Sequence, residues 1–248
     1  MKYGLQLYSV RDAMEEDFED ALRQVAEMGY SMVEGIPMDR PAEEMRAILE
    51  MHGLTLCSNH LNIKAFDDDE AAKRTIQFHK VMGCTELVLG AVPNKTREDL
   101  EYSISTVNKY IPFLKKEGMR LHYHNHSKEF FENKDGIVVF DELVNRTDLM
   151  LQLDIFWAFN AGKNPMEMME QYMDRMAFIH LKDGIVAKDI WDPAKGAVGK
   201  PLGRGQAPVA DAYKKACELG MTVIVESENL DPDGLTEVMN CIEYLKKI

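Results

Sequence analysis

The chain has no apolar run of about 18 residues, so no membrane-spanning helix is predicted. Its first residues, MKYGLQLYSV, lack the long apolar core of a secretory signal, and a cytoplasmic location is expected. Cysteine is scarce: Cys57, Cys84, Cys217 and Cys241, with no CxxC pair. That spacing excludes a zinc knuckle and a disulfide framework, leaving four reduced core residues. Positive charge is short, with 29 Lys and Arg against 42 Asp and Glu and a net charge of -13. That balance counts against a nucleic-acid partner, because phosphate backbones are bound by excess cationic charge. No GxGxxG follows the first apolar run, which counts against a dinucleotide-binding fold. There is no internal linker or low-complexity stretch, so residues 1–248 are expected to form one domain.

What is present is an alternation of short apolar runs with amphipathic stretches. GLQLYSV, SMVEGIP, LTLCSNHL, ELVLGAV, MRLHYHNH, LMLQLDIF, MAFIHLKDG and MTVIVESENL read as strands. Helical spacing follows most of them, as in DFEDALRQVAEMGY, where Gly29 suits the C-terminal cap. Eight strand–helix units of about 31 residues predict a parallel sheet. At 248 residues they fit a closed (β/α)8 barrel better than an open doubly wound sheet. In such a barrel, polar residues at the C-terminal ends of the strands face the catalytic mouth. Gln6, Tyr8, Ser9, Glu34, Asn59, His60, His124, His126, Asp154, His180, Lys182, Asp183, Glu226 and Glu228 occupy those ends.

The stretch LHYHNHSKEF, residues 121 to 130, is the densest in chemistry. Period two would put His122, His124 and His126 on one face of a strand, which is costly in a closed core unless each finds a partner or a metal. Asp154, His180 and Glu226 each emerge from an apolar run on one of the next three strands. Adjacent strands lie about 4.8 Å apart, so side chains from four neighbours can close on one ion. The expected metal ligands are therefore His124, Asp154, His180 and Glu226, with His122 or His126 as competitors for the first position. His122 lies deeper in its strand and suits a core or supporting place. Two imidazoles and two carboxylates suit a divalent ion such as manganese, cobalt, zinc or iron; magnesium prefers an all-oxygen shell.

The chain resembles the sugar phosphate isomerase/epimerase proteins of the xylose isomerase-like barrel superfamily. The matching pieces are GLQLYSVRD, YHNHSKEF, LDIFWAFNAG, IHLKDG, LGRGQ and VIVESEN, spread over essentially the whole length. The resemblance implies a divalent metal, with manganese foremost, held by strands five to eight, and it carries Asp154, His180 and Glu226 over directly. Members with the pattern ENH have Glu where this chain has His124, and several have His in place of Trp157. In the epimerases, the strand-five and strand-eight glutamates move a proton on opposite faces of the substrate, so His124 departs from that scheme. The YHNH segment is most similar to inosose dehydratase-like proteins and enzymes acting on 3-keto sugars.

What the resemblance implies is an isomerase or epimerase acting on a sugar, keto-sugar or cyclitol by proton abstraction beside a metal-polarised carbonyl or hydroxyl. A lyase or dehydratase acting on a 3-keto sugar or inosose shares that step. Glu226, His124, His126 and Lys182 are the expected catalytic residues, with Lys182 stabilising enolate charge or holding a hydroxyl. Glu34, His60, Trp157, Lys182 and Arg204 are the expected substrate contacts. The Met-rich helix EMMEQYMDRM is read as an outer packing surface or a contact between subunits of a homo-oligomer. Two further readings are an endonuclease IV-like phosphodiesterase, which the net charge opposes, and a barrel subunit that has lost its chemistry.

Overall fold

A computed structural model of the chain describes residues 3–192 and 195–248. Seven strands follow in order: β1 (Gly4–Gln6), β2 (Met32–Glu34), β3 (Thr55–Asn62), β4 (Glu86–Ala91), β5 (Arg120–His124), β6 (Met150–Asp154) and β7 (Met176–Leu181). The hairpin strands β8 (Asp183–Ile185) and β9 (Val198–Lys200) come next, and β10 (Thr222–Val225) closes the barrel between β7 and β1. All pairings within the barrel are parallel. The helices are α1 (Arg11–Glu16), α2 (Phe18–Met28), α3 (Ala42–Met51), α4 (Asp69–Met82), α5 (Arg97–Lys116), α6 (Val139–Arg146), α7 (Ile155–Asn160), α8 (Pro165–Gln171), α9 (Val209–Glu218) and α10 (Gly234–Leu245). The expected (β/α)8 barrel is present. No helix among the described residues is long and apolar enough to cross a membrane.

Helix ends follow local chemistry. The Asp17 carboxylate accepts from the backbone N–H groups of Glu19 and Asp20 to start α2, and Gly29 ends it at φ 108°, where a side chain would be strained. Thr96 and Asp99 form a reciprocal capping box at the start of α5. Outward-facing strand residues pack against the helices in two clusters, one including Leu5, Val33, Leu153 and Val225, the other Leu87, Leu89, Leu121 and Tyr123.

Inside the barrel, period two sorts side chains into layers. Val88, Phe178 and Ile224 form an apolar plug, and the His122 ring lies 4.5 Å from that of Phe178. Below the plug, Glu86 accepts from Arg120 through two N–H groups at 2.7 and 3.0 Å and meets His122 Nε2 at 2.6 Å. The polar residues of the next layer up are at the opposite, C-terminal end. Gly90 belongs to that layer; a Cβ there would sit 2.8 Å from the His60 ring.

The structure departs from the sequence reading in three places. LMLQLDIF does not run on as a strand to Phe156: β6 stops at Asp154, whose Oδ1 accepts from Trp157 N–H at 2.8 Å and so starts α7. GLQLYSV keeps only three strand residues, because Gln6 Oε1 accepts from Tyr8 N–H and folds Leu7–Val10 into a 3-10 turn. The Gly- and Pro-rich loop before α9 contains the β8–β9 hairpin. Asp183 organises it, accepting from the backbone N–H groups of Gly184, Gly203, Gly205 and Ala207. Asp183 thus holds a loop and is not free to face a ligand.

The Glu86 cluster should be a stability element. Burial pushes its carboxyl up, but His122 and Arg120 outweigh burial and hold it at about 2. Its folded pKa lies below the unfolded value of about 4.3, so its contribution is present above that pH and lost as pH falls toward about 2. Glu86→Gln is expected to cost about 2 kcal/mol at pH 7 in urea unfolding, with the difference from wild type shrinking below about pH 4.

Candidate metal centre and cleft

Glu34, at the end of β2, is fully buried and lies beneath the site. Its Oε1 accepts from Gln6 Nε2 at 2.9 Å and from His180 Nε2, and its Oε2 accepts from Gln152 Nε2 at 2.6 Å and from Ser58 Oγ. His60 Nε2 lies 3.2 Å from Oε1. Burial pushes this carboxyl up, yet the charges of His180 and His60 outweigh it and hold it well below the usual range. It is therefore an anion with its acceptor positions filled. The expectation that Glu34 touches substrate is corrected: it is walled off, and what it does is orient His180.

The protons in this network can be assigned. A carboxylate only accepts, so His180 Nε2 carries a proton and the Nδ1 lone pair faces the other way. There it meets Glu226 Oε2 at 3.1 Å. Gln152 Nε2 donates to Glu34, so Gln152 Oε1 accepts, from His124 Nδ1 at 3.1 Å and His60 Nε2 at 2.8 Å. The unprotonated Nε2 of His124 is then free to act as a ligand. Burial and the neighbouring charges of His180, His126 and His60 hold His124 well below the usual imidazole range, so it is neutral.

Ligand atoms of His124, Asp154, His180 and Glu226 lie within 4.8 Å of one another, and all four residues are buried. In register, Asp154 stands beside His180 and His124 beside Gln152. Two observations fit a cation. Asp154 Oδ2 is buried with no hydrogen-bond partner among the described residues, and burial lifts its carboxyl to about 7. His180 Nδ1 and Glu226 Oε2 face each other at 3.1 Å, a contact that needs a proton or a cation between them. Ligand atoms about 2.1 Å from one ion lie roughly 3 Å apart. Burial lowers the imidazole's pKa, but Glu34 and Glu226 raise His180 to about 10, so without a cation it would hold that proton. A buried carboxylate–imidazole pair behind a metal ligand is a recurrent supporting arrangement. His60, His124 and His180 also converge, with the His60 and His180 rings stacked at 5.5 Å and 3°.

A cleft of about 290 Å³ opens above these residues, walled by Gln6, Tyr8, His60, His124, His126, Glu226 and Glu228. The expected contacts sort themselves around it. His60 is on the wall. The His126 side chain is 41% exposed there, beyond the end of β5, and its Nδ1 lies 4.0 Å from Glu129 Oε1. Lys182 is not on the wall. It is fully buried, paired with Glu226 and Glu228, and its Nζ is 4.6 Å from the centre of the Trp157 ring. Burial opposes its charge, but Glu226, Asp154 and Glu228 outweigh that and raise its pKa, so it stays an ammonium. The expectation that Lys182 holds a substrate hydroxyl is corrected to a fixed countercharge under the carboxylates. Trp157 lines a neighbouring groove with His126. Arg204 is exposed in the loop that Asp183 ties down and does not line the cleft, so it is not placed to contact a substrate there.

Sequence reasoning missed Gln152, Ser58 and Glu129. Gln152 was recoverable, being two residues before Asp154 and hence on the same strand face. Glu129 accepts from Tyr123 OH and His126 N–H, which its loop position gave no means of seeing.

Residues 22–248 match the family model described as xylose isomerase-like TIM barrel. Inosose dehydratase of Geobacillus kaustophilus is 23% identical over 189 residues, which is 66% of this chain and 61% of the relative. The chain thus spans less than two thirds of that relative's length. A sugar phosphate isomerase/epimerase structure from Parabacteroides distasonis superposes with a TM-score of 0.79 at 25% identity, covering 99% of this chain and 93% of the other. A second from the same organism gives 0.80 at 23% identity, with 100% and 99% covered.

Purified protein is expected to carry about one divalent ion by elemental analysis, lost in Asp154→Ala. Glu34→Gln should keep the fold and weaken ion affinity about 10–100-fold in a chelator competition. Unchanged affinity in that variant would show that Glu34 does not orient His180.

Proposed function

The chain belongs to the xylose isomerase-like TIM barrel family, and from that premise we propose that it is a divalent-metal-dependent isomerase or epimerase acting on a sugar, keto-sugar or cyclitol. The observation that carries this reading is the buried set His124, Asp154, His180 and Glu226 beneath a polar cleft. When bound, a divalent ion, of which manganese is the one we expect, would polarise a carbonyl oxygen and so acidify the neighbouring C–H, or hold the adjacent hydroxyl. His124, Asp154, His180 and Glu226 would hold it, and Glu34 would fix the His180 ring.

His126 is the group best placed to move the proton. It is on the cleft wall and outside the four-residue set. Burial lowers its pKa, so it is a neutral imidazole near pH 7 and able to accept a proton. Glu129, held by Tyr123 and by the His126 backbone, faces its Nδ1 and would stabilise the charged form. Glu226 is less suited: it belongs to the four-residue ligand set, and although burial would raise its carboxyl, the Lys182 ammonium beside it acts to lower it. Lys182 does not act as a base because it stays protonated.

A dehydratase is the second reading. The observation favouring it is that strand five presents a neutral imidazole, His124, and not a carboxylate opposite Glu226. A two-glutamate shuttle across both faces of a substrate is then not built, whereas one base with a departing hydroxyl needs no such pair. The relation to inosose dehydratase agrees with it.

Both readings share proton abstraction, and one experiment separates them. Metal-loaded protein is incubated in deuterated water with a panel of ketoses, 3-keto sugars and inososes and followed by NMR. Deuterium incorporation without loss of water supports the isomerase or epimerase, and loss of water to a 2-hydroxyenone or the 1,2-dione it tautomerises to supports the dehydratase. His126→Asn should lower the exchange rate about 10²–10⁴-fold with metal content unchanged. No exchange anywhere in the panel, with metal bound, would sink the enzymatic reading.

A further inference from the structure

The cleft is not closed at its outer end. A second cavity, of about 1010 Å³, meets it at His126, which lines both. A small ligand fills a pocket near the low end of the usual range of about 300–1,000 Å³, and the outer groove is at the high end. One sugar ring over the metal ligands would leave that groove empty.

The groove has its own chemistry. The loop after β8 forms one wall through Ala187, Ile190 and Trp191, and the Trp157 indole lies at the inner end beside His126. Trp191 is 55% exposed although it lines a concavity, with the Lys128 ammonium 5.7 Å from its ring centre and the Phe131 ring edge-on at 6.0 Å. An indole left open in a hollow offers a flat face to another ring.

Several polar side chains of the groove are already engaged within the protein. Asn160 donates to Ser127 Oγ and accepts from Ala187 N–H, and Asn133 donates to the Asn94 carbonyl. What stays open is aromatic surface and, around it, the side chains of Lys95, Lys134 and Glu132, none of which makes an ion pair among the described residues, while Lys128 lies over the Trp191 ring. Such a surface recognises a ring by stacking and asks little of its hydroxyl pattern.

We propose that the substrate is a keto-glycoside and not a free monosaccharide: its sugar ring, which carries the carbonyl that makes a neighbouring C–H acidic, occupies the cleft over the metal ligands, and the ring on its glycosidic oxygen lies in the groove against Trp191. The inference rests on the sugar-acting reading above and adds the class of substrate. His126 stands at the junction, so the proton it moves would be on the sugar ring and the second ring would serve for binding.

The test uses metal-loaded full-length protein and matched pairs of probes, the methyl and p-nitrophenyl 3-keto-glycosides of glucose, galactose, mannose and xylose. Affinities are measured by calorimetry and by saturation-transfer NMR. At least one p-nitrophenyl glycoside is expected to bind about ten-fold more tightly than its methyl partner. That ratio should fall to about one in Trp191→Ala and recover in Trp191→Phe. Equal affinity within every pair, or a ratio that survives Trp191→Ala, overturns the glycoside proposal and leaves the sugar reading standing. No binding by any probe, with metal bound, overturns the glycoside proposal, and the exchange panel of free ketoses, 3-keto sugars and inososes then decides the sugar reading separately.

Discussion

Glu34 brings a full negative charge into the barrel with no water to solvate it, and the remainder of the site is arranged around meeting that charge. Burial of a lone carboxylate is among the most expensive events in folding. Here Gln6, Ser58, Gln152 and His180 each donate to it, from strands on both sides of the barrel. Those donors are thereby fixed in orientation. His180 must turn its lone pair toward Glu226, and Gln152 must offer its carbonyl oxygen to His60 and His124. One buried anion thus determines the proton positions of three histidines.

Charge is balanced one layer higher by Lys182. It lies under Glu226 and Glu228 with its ammonium against the Trp157 ring, and its burial commits it to that task. The remaining imbalance is local. Asp154 Oδ2 has no partner among the described residues, and the contact between His180 Nδ1 and Glu226 Oε2 needs either a proton or a cation. Together they mark a candidate cation site, where one ion could satisfy several acceptors at once. Two elements of opposite character share the barrel axis: an ion-paired floor of Glu86, Arg120 and His122, and a mouth left under-satisfied. Between them the apolar plug of Val88, Phe178 and Ile224 separates the two charge systems.

Several features could be read without coordinates because they depend on local pattern. Alternation of apolar strands with amphipathic helices, at a length fitting eight units, specifies a parallel barrel. Asp154, His180 and Glu226 could be picked out because each is a charged or polar group ending an apolar run. Once the barrel closes, such ends must meet at one mouth. The strand boundaries were less legible. Asp154 ends its strand by capping α7 with its own carboxylate, and no apolar count distinguishes Ile155 and Phe156 in a strand from the same pair in a helix. The hairpin after β7 depends on Asp183 collecting four backbone N–H groups, three of them about twenty residues away.

The sequence by itself determined the fold class, the metal-ligating candidates and the end of the barrel on which they stand, because period-two alternation and chain length are one-dimensional properties. Only the tertiary structure decided the roles of the residues around them. Glu34 and Lys182 look like any other ionisable residues in the sequence, and whether such a group meets substrate or a buried partner depends on depth and neighbours. Ser58 and Gln152 likewise gain their roles from contacts with Glu34 24 and 118 positions away, and strand periodicity gives the face of Gln152 but not that partner.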